Sequence, residues 1–142
     1  EEATKKKIEE IILRCNVWIS GHGARDSGHG FFPYSTMSPT QKKVVDFETL
    51  DDIHSELIRV YDDAEKKDFD VGESCYKLLP FFADDSMIID AKAQETIRIM
   101  QFSKLTHTPP FPSVYETPAS FIDDVLIVDQ EITRMKNNGN KK

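Results

Sequence analysis

The segment Gly21-His22-Gly23-Ala24-Arg25-Asp26-Ser27-Gly28-His29-Gly30 holds four of the six glycines and two of the four histidines in the chain. Glycine admits positive backbone angles and lets main-chain amides come close to a ligand. A loop of this composition can therefore form an anion-binding concavity, with Arg25 as a bidentate donor. His22, Asp26 and His29 offer a second chemistry. Two imidazoles and a carboxylate suit zinc or a similar divalent metal if the loop folds back on itself, with His54 or water as the fourth ligand. Neither the histidine nor the glycine spacing matches a metal finger or a phosphate-cradling loop. The plainer alternative is a connector whose histidines are solvated.

Within this segment, Ile19-Ser20-Gly21-His22-Gly23 resembles the histidine motif of the caspase-like and metacaspase cysteine peptidases, and Cys75 lies 53 residues beyond His22. The resemblance implies a central strand before the turn, His22 as general base and Cys75 as the attacking thiolate. The residues preceding His22 carry helical rather than strand periodicity, and Gly72-Glu73-Ser74-Cys75-Tyr76-Lys77 lacks the family's following glycine. Ser27 lies near both histidines without an elbow to orient it as a nucleophile. No complete catalytic constellation is assembled, which points away from an enzyme.

Charge is distributed unevenly. Between Asp46 and Asp90 there are 14 acidic residues and four basic ones, against a net charge of -7 for the whole chain. Asp51, Asp52, Glu56, Asp62, Asp63, Glu65, Asp68 and Asp70 fall largely opposite or beside an apolar helical stripe, leaving one face anionic. Such a face aids solubility and, as a function, steers a basic protein partner into contact. Asp51, Asp52, Asp62 and Asp63 are the expected docking residues. The aromatic cluster Phe31, Phe32 and Tyr34 either folds back to seal a core or, if exposed, adds to the binding surface. The acidic balance disfavours broad nucleic-acid or anionic-lipid binding. Pairs such as Asp84-Asp85 do not show the spacing of a calcium loop.

The elements that position these groups follow from periodicity. Ile8, Ile11, Ile12, Cys15, Trp18 and Ile19 recur at steps of three and four, which predicts an amphipathic helix to about Ser20, stopped by Gly21. A long loop follows. Ser38-Pro39-Thr40-Gln41 has the form of a capping box and predicts a short helix through Val44, Val45 and Phe47, with a strand over Lys43 to Phe47 as the competitor. Thr49 with Asp52 opens a helix carrying Leu50, Ile53, Leu57, Val60, Tyr61 and Ala64. A further short helix carries Cys75 and ends near Leu79, because Pro80 cannot continue it. From Ser86 to Lys104 the apolar residues occupy two faces, which predicts a sandwiched helix. Pro109, Pro110, Pro112 and Pro118 impose an extended crossing segment, and Phe121, Val125, Val128, Ile132 and Met135 form a last helix.

At 142 residues, with 39% hydrophobic and 30% charged side chains, the chain suits one globular domain. No apolar run approaches the roughly 20 residues of a membrane-spanning helix. The opening Glu1-Glu2, followed by Lys5, Lys6 and Lys7, reads as neither signal nor transit peptide. Two cysteines are too few for a disulfide framework and indicate a reducing, intracellular and cytoplasmic setting, with a single disulfide as the alternative. The expected fold is all-α: residues 1–136 as one domain of five or six helices, and 137–142 as a flexible tail. An α+β fold is the second choice. The expected function is a protein-interaction or regulatory module using the acidic helical face. The alternative is an enzyme or a metal- or anion-binding protein centred on residues 21–30, with the cysteine hydrolase as its minor variant.

Overall fold

The structure, a computed structural model, describes residues 2–29 and 31–139. Five α-helices dominate it: α1 (Glu2–His22), α2 (Leu50–Lys66), α3 (Val71–Leu78), α4 (Ala91–Thr106) and α5 (Ala119–Gly139). A two-stranded antiparallel hairpin, β1 (Tyr34–Met37) and β2 (Val44–Phe47), sits between α1 and α2 in sequence, with Tyr34 opposite Phe47 and Met37 opposite Val44. Short 3-10 turns occupy Leu79–Phe81, Asp85–Met87 and Val114–Glu116. Among the described residues, no helix is long and apolar enough to cross a membrane.

The helix expected through Val44 and Phe47 is a strand. Ser38 does behave as a helix cap, its hydroxyl accepting from the Gln41 amide at 3.0 Å. Lys42, however, takes a left-handed φ of 57°, and the Ser38 amide donates to the Lys43 carbonyl at 2.9 Å. The chain therefore reverses into a hairpin, whose pleat suits the β-branched Val44 and Val45. Alternation then buries Phe47 while leaving Val44 exposed.

The helix α1 is the axis of the fold and packs on α2, α3, α4 and α5. Ile11 and Cys15 join Phe47, Ile53, Leu57, Val60, Cys75, Leu79 and Phe82 in one core. Leu13 and Val17 join Ala93, Ile97, Met100 and Val128 in a second. So α1, read as amphipathic, is buried on both sides. By contrast α4, expected to be sandwiched, packs Ala93, Ile97 and Met100 inward and leaves Phe102 and Leu105 exposed. Polar pairing explains the exchange. Asn16, fully buried on α1, donates to the Ile12 and Ile88 carbonyls, and its Oδ1 accepts from the Asp90 amide and Gln94. Arg14 donates to Glu10 at 2.9 Å and to Glu131 of α5 at 2.6 Å. Burial of either group is tolerated only because these partners replace water.

Gly72 allows the closest of these approaches. A Cβ there would lie 2.5 Å from the Glu131 carboxylate, which also accepts from the Trp18 indole at 2.8 Å. Burial pushes the Glu131 carboxyl above its ordinary range, against the pull of Trp18 and Arg14. One other expectation is corrected. Asn137 to Gly139, expected in the tail, belong to α5, and residues 140–142 lie outside the described residues. The proline segment between α4 and α5 is irregular and mostly exposed, with its one 3-10 turn and Phe111 set edge-on to Phe121.

Candidate functional site

The glycine-histidine loop is latched to the segment Pro80–Asp85. Arg25 makes a bidentate pair with Asp85, Nε to Oδ2 at 2.8 Å and Nη2 to Oδ1 at 2.9 Å. Its guanidinium lies 3.7 Å from the centre of the Tyr76 ring, and Nη2 also donates to the Tyr76 carbonyl. A stacked, forked arginine of this kind is among the stronger polar contacts available to a protein. The Ser27 hydroxyl donates to Asp84 and to the Ala83 carbonyl, and the Ser27 amide donates to Asp84 at 2.8 Å. These hydrogen bonds, the hydroxyl foremost, hold the Asp84 carboxyl below its ordinary pKa. Asp84 and Asp85, the acidic pair without calcium-loop spacing, thus serve as the loop's anchor.

The same latch separates the expected metal ligands. His22 lies 3.0 Å through Nδ1 from the Trp18 carbonyl, stacked on Trp18 and beside Tyr76. His29 turns the other way, with Nε2 3.0 Å from the Pro80 carbonyl and its ring on Tyr34. Asp26 accepts from the Gly28 amide in a local turn at the surface. His54 sits half-buried on α2, where burial lowers its pKa. Among the described residues, no group of three or more His, Cys, Asp or Glu side chains is placed to hold a metal. Arg25, expected to present its donors to an anion, is occupied by Asp85 and Tyr76.

The peptidase arrangement is also not formed. His22 ends a helix rather than following a strand, and the side chain beside it is Tyr76, one residue past the expected nucleophile. Cys75 is 1% exposed and its thiol faces the Leu57 carbonyl at 4.0 Å.

The expected docking residues divide. Of the aromatics, Phe31 is exposed, whereas Phe32 stacks on Tyr34 and Tyr34 on Phe47. Burial raises the Tyr34 pKa to about 12, and its hydroxyl donates to the Phe82 carbonyl. Along α2, Asp51 is exposed at the first turn. Asp52 completes the capping box with Thr49, accepting from the Glu48 and Thr49 amides. Glu56, assigned by the pattern to the solvated face, is fully buried. It accepts from Ser38 at 2.7 Å, Thr40 at 2.6 Å and Arg59 at 2.7 Å. Burial alone would raise its pKa, but these three donors outweigh it and hold the carboxyl below its ordinary value.

The far end of α2 is different. Asp62 pairs with Lys7 at 2.8 Å and Asp63 with Lys67 at 3.1 Å, all partly or largely exposed. The helix then closes in a Schellman turn, the Asp68 amide bonding to the Glu65 carbonyl and the Phe69 amide to that of Ala64. Asp68 stands at the left-handed position of this turn, φ 58°, where glycine is preferred. A cleft of about 280 Å³ opens beside it, lined among others by Tyr61, Glu65, Asp68, Phe69, Gln130 and Arg134. Arg134 pairs with Asp70 at 2.9 Å and lies 3.5 Å from Glu131, so its charge is engaged within the fold. Glu65 and Asp68 form no ion pair among the described residues, and Phe69 is 61% exposed. Sequence reasoning counted Glu65 and Asp68 among the acidic residues but missed Phe69. The signal was present as an isolated aromatic set between Asp68 and Asp70 just after a helix.

No protein-family model, curated protein or solved structure matches the chain.

Proposed function

We propose that the chain is an intracellular protein-interaction module that binds a basic segment of a protein partner at the C-terminal end of α2. The observation that carries this reading is the placement of Asp68. The last turn of a helix exposes unpaired carbonyls and carries a partial negative charge, so carboxylates there are unfavourable. Asp62, Asp63, Glu65 and Asp68 crowd this end, and Asp68 does so in a backbone conformation that favours glycine. Lys7 pairs with Asp62 and also attracts Glu65, and Lys67 pairs with Asp63, so Asp68 is the least compensated of the four. A lysine or arginine of a partner entering beside Glu65 and Asp68 would answer them, while the exposed Phe69 offers apolar contact to its stem. A local rule broken at Asp68, with no ion pair to offset it among the described residues, supports a site shaped by something outside the fold.

The test is binding of a short arginine-rich peptide, measured at low and at physiological salt. The double variant Glu65→Lys with Asp68→Lys is expected to weaken binding about tenfold or more, roughly 1.4 kcal/mol. Asp51→Lys, at the other end of the same helix, should change affinity much less. Equal losses in both proteins would reduce the effect to net charge and overturn the localised site.

A further inference from the structure

The hairpin has an edge along which the backbone is left without partners. The Ser38 amide donates to the Lys43 carbonyl at 2.9 Å, which makes this a hydrogen-bonded pair of the ladder and fixes its phase. Bonded and non-bonded pairs alternate in an antiparallel ladder. Thr36 therefore bonds to Val45 and Tyr34 to Phe47, whereas the amides and carbonyls of Val44 and Asp46 point away from β1. Among the described residues no turn, cap or side chain bonds to those outward groups. Val44 is 64% exposed, and Asp46 stands beside it on the same exposed face. Such an edge is a template for another strand. The β1 edge suits one less, because Pro33 and Pro39 bracket it and lack amide hydrogens.

Charge along this edge selects the strand that fits it. Lys42-Lys43-Val44-Val45-Asp46-Phe47-Glu48 is basic at one end and acidic at the other. Lys42, Lys43, Asp46 and Glu48 form no ion pair among the described residues. We propose that β2 pairs antiparallel with β2 of a second copy of this chain, about a two-fold axis at Val45, joining the two-stranded hairpins into one sheet across a homodimer. In this register Val44 lies opposite Asp46 of the second copy, and their outward amides and carbonyls exchange hydrogen bonds as a bonded pair. Val45 meets Val45 of the second copy as a non-bonded pair, where side chains come closest and β-branched residues pack well. Continued outward, the same register sets Lys42 and Lys43 of one copy beside Glu48 of the other, on both sides of the axis. Like charges directly opposite would repel. The reversal of sign along β2 turns that repulsion into attraction when the strands run antiparallel, which is the orientation a two-fold contact imposes. The ladder ends where the backbone does: Lys42 leaves the strand with a left-handed φ of 57°, and the Glu48 amide is held by Asp52 at 2.8 Å. A strand of four residues makes a small contact, so the dimer is weak and reversible. The hairpin takes no part in the docking reading at the foot of α2, and either can fail alone.

The experiment is sedimentation of the whole chain from micromolar to millimolar concentration at physiological salt, which screens the net charge of -7 on each copy beyond about 8 Å. A reversible monomer–dimer equilibrium is expected. Val44→Pro removes an outward amide while leaving every bond between β1 and β2 in place, and should raise the dimer dissociation constant at least about tenfold. Lys42→Glu with Lys43→Glu, and separately Asp46→Lys with Glu48→Lys, give strands of a single sign. Each variant should be monomeric alone, and the two should form a heterodimer when mixed. In the wild type, exchange of the Val44 and Asp46 amides with solvent should slow as concentration rises, with the Ser35 and Met37 amides of the other edge unchanged. A monomer at every concentration, a dimer indifferent to Val44→Pro, mixed variants that stay apart, or protection gained at Ser35 and Met37 instead would each overturn the proposal. The wild-type sedimentation and exchange decide the question if a variant fails to fold.

Discussion

At the N-terminal end of α2, Asp52 accepts from the Glu48 and Thr49 amides at 2.8 and 3.2 Å, and about one turn on Glu56 draws in Ser38, Thr40 and Arg59. At the C-terminal end, Asp62, Asp63, Glu65 and Asp68 stand around carbonyls that already carry partial negative charge. The side chains are of one kind, and the fold needs only the first set. Carboxylates at the head of the helix satisfy amides that no backbone carbonyl reaches, and Glu56 ties the hairpin turn to α2. Those at the foot satisfy nothing beyond Lys7 and Lys67. The contrast with α4 is instructive, since that helix also ends on a left-handed residue, His107 at φ 56°, but with a side chain whose charged form complements the helix end. Backbone strain at a helix terminus is thus not peculiar to Asp68. The sign of its charge is.

Glu56→Ala is expected to have the largest effect, a loss of about 3 kcal/mol in denaturant unfolding, because Ser38, Thr40 and Arg59 lose their common acceptor at a buried position. The pH dependence follows from the direction of the shift. Glu56 in the folded chain has a pKa below its ordinary 4.5, so its contribution is complete above that value and is lost as pH falls through the folded one. Glu56→Gln should therefore flatten the acid limb of the stability curve, and an unchanged limb would separate this carboxylate from acid unfolding. Asp52→Ala should lose about 1 kcal/mol through the broken cap. Asp68→Gly reverses the sign: removal of left-handed strain and of an unfavourable charge should stabilise the fold by about 0.5 kcal/mol while weakening the arginine-rich peptide. A destabilised Asp68→Gly chain would show that Asp68 serves the fold after all.

Much of this helix was legible in the sequence. Thr49, Asp52 and the stripe from Ile53 to Ala64 are local signals, and local physics decided the outcome. The break at Pro80 and the course of α5 were legible for the same reason. What could not be read depends on distant partners. Glu56 looks solvated because the hydroxyls that bury it lie in a turn that sequence patterning assigned to a helix start. Arg14 and Asn16 interrupt the apolar stripe of α1 and mask its central position, since Glu131 and Gln94 are far along the chain. The glycine-histidine loop was legible as an anomaly of composition. Its latch was not, because Arg25 meets Asp85 and Tyr76 only once α3 has packed on α1. At the foot of α2 the acids were visible as an excess, and only the Schellman turn showed which of them stands against the backbone's preference.

A partner bound at this end of α2 would leave a local signature. Amide and side-chain NMR shifts recorded while the arginine-rich peptide is titrated into the intact protein locate it directly. The expected result is saturable changes concentrated at Tyr61, Glu65, Asp68, Phe69 and Gln130, with Asp51 and the hairpin little affected. Small, non-saturating changes spread over every acidic surface, or a response centred on Asp51 or Phe31, would contradict it.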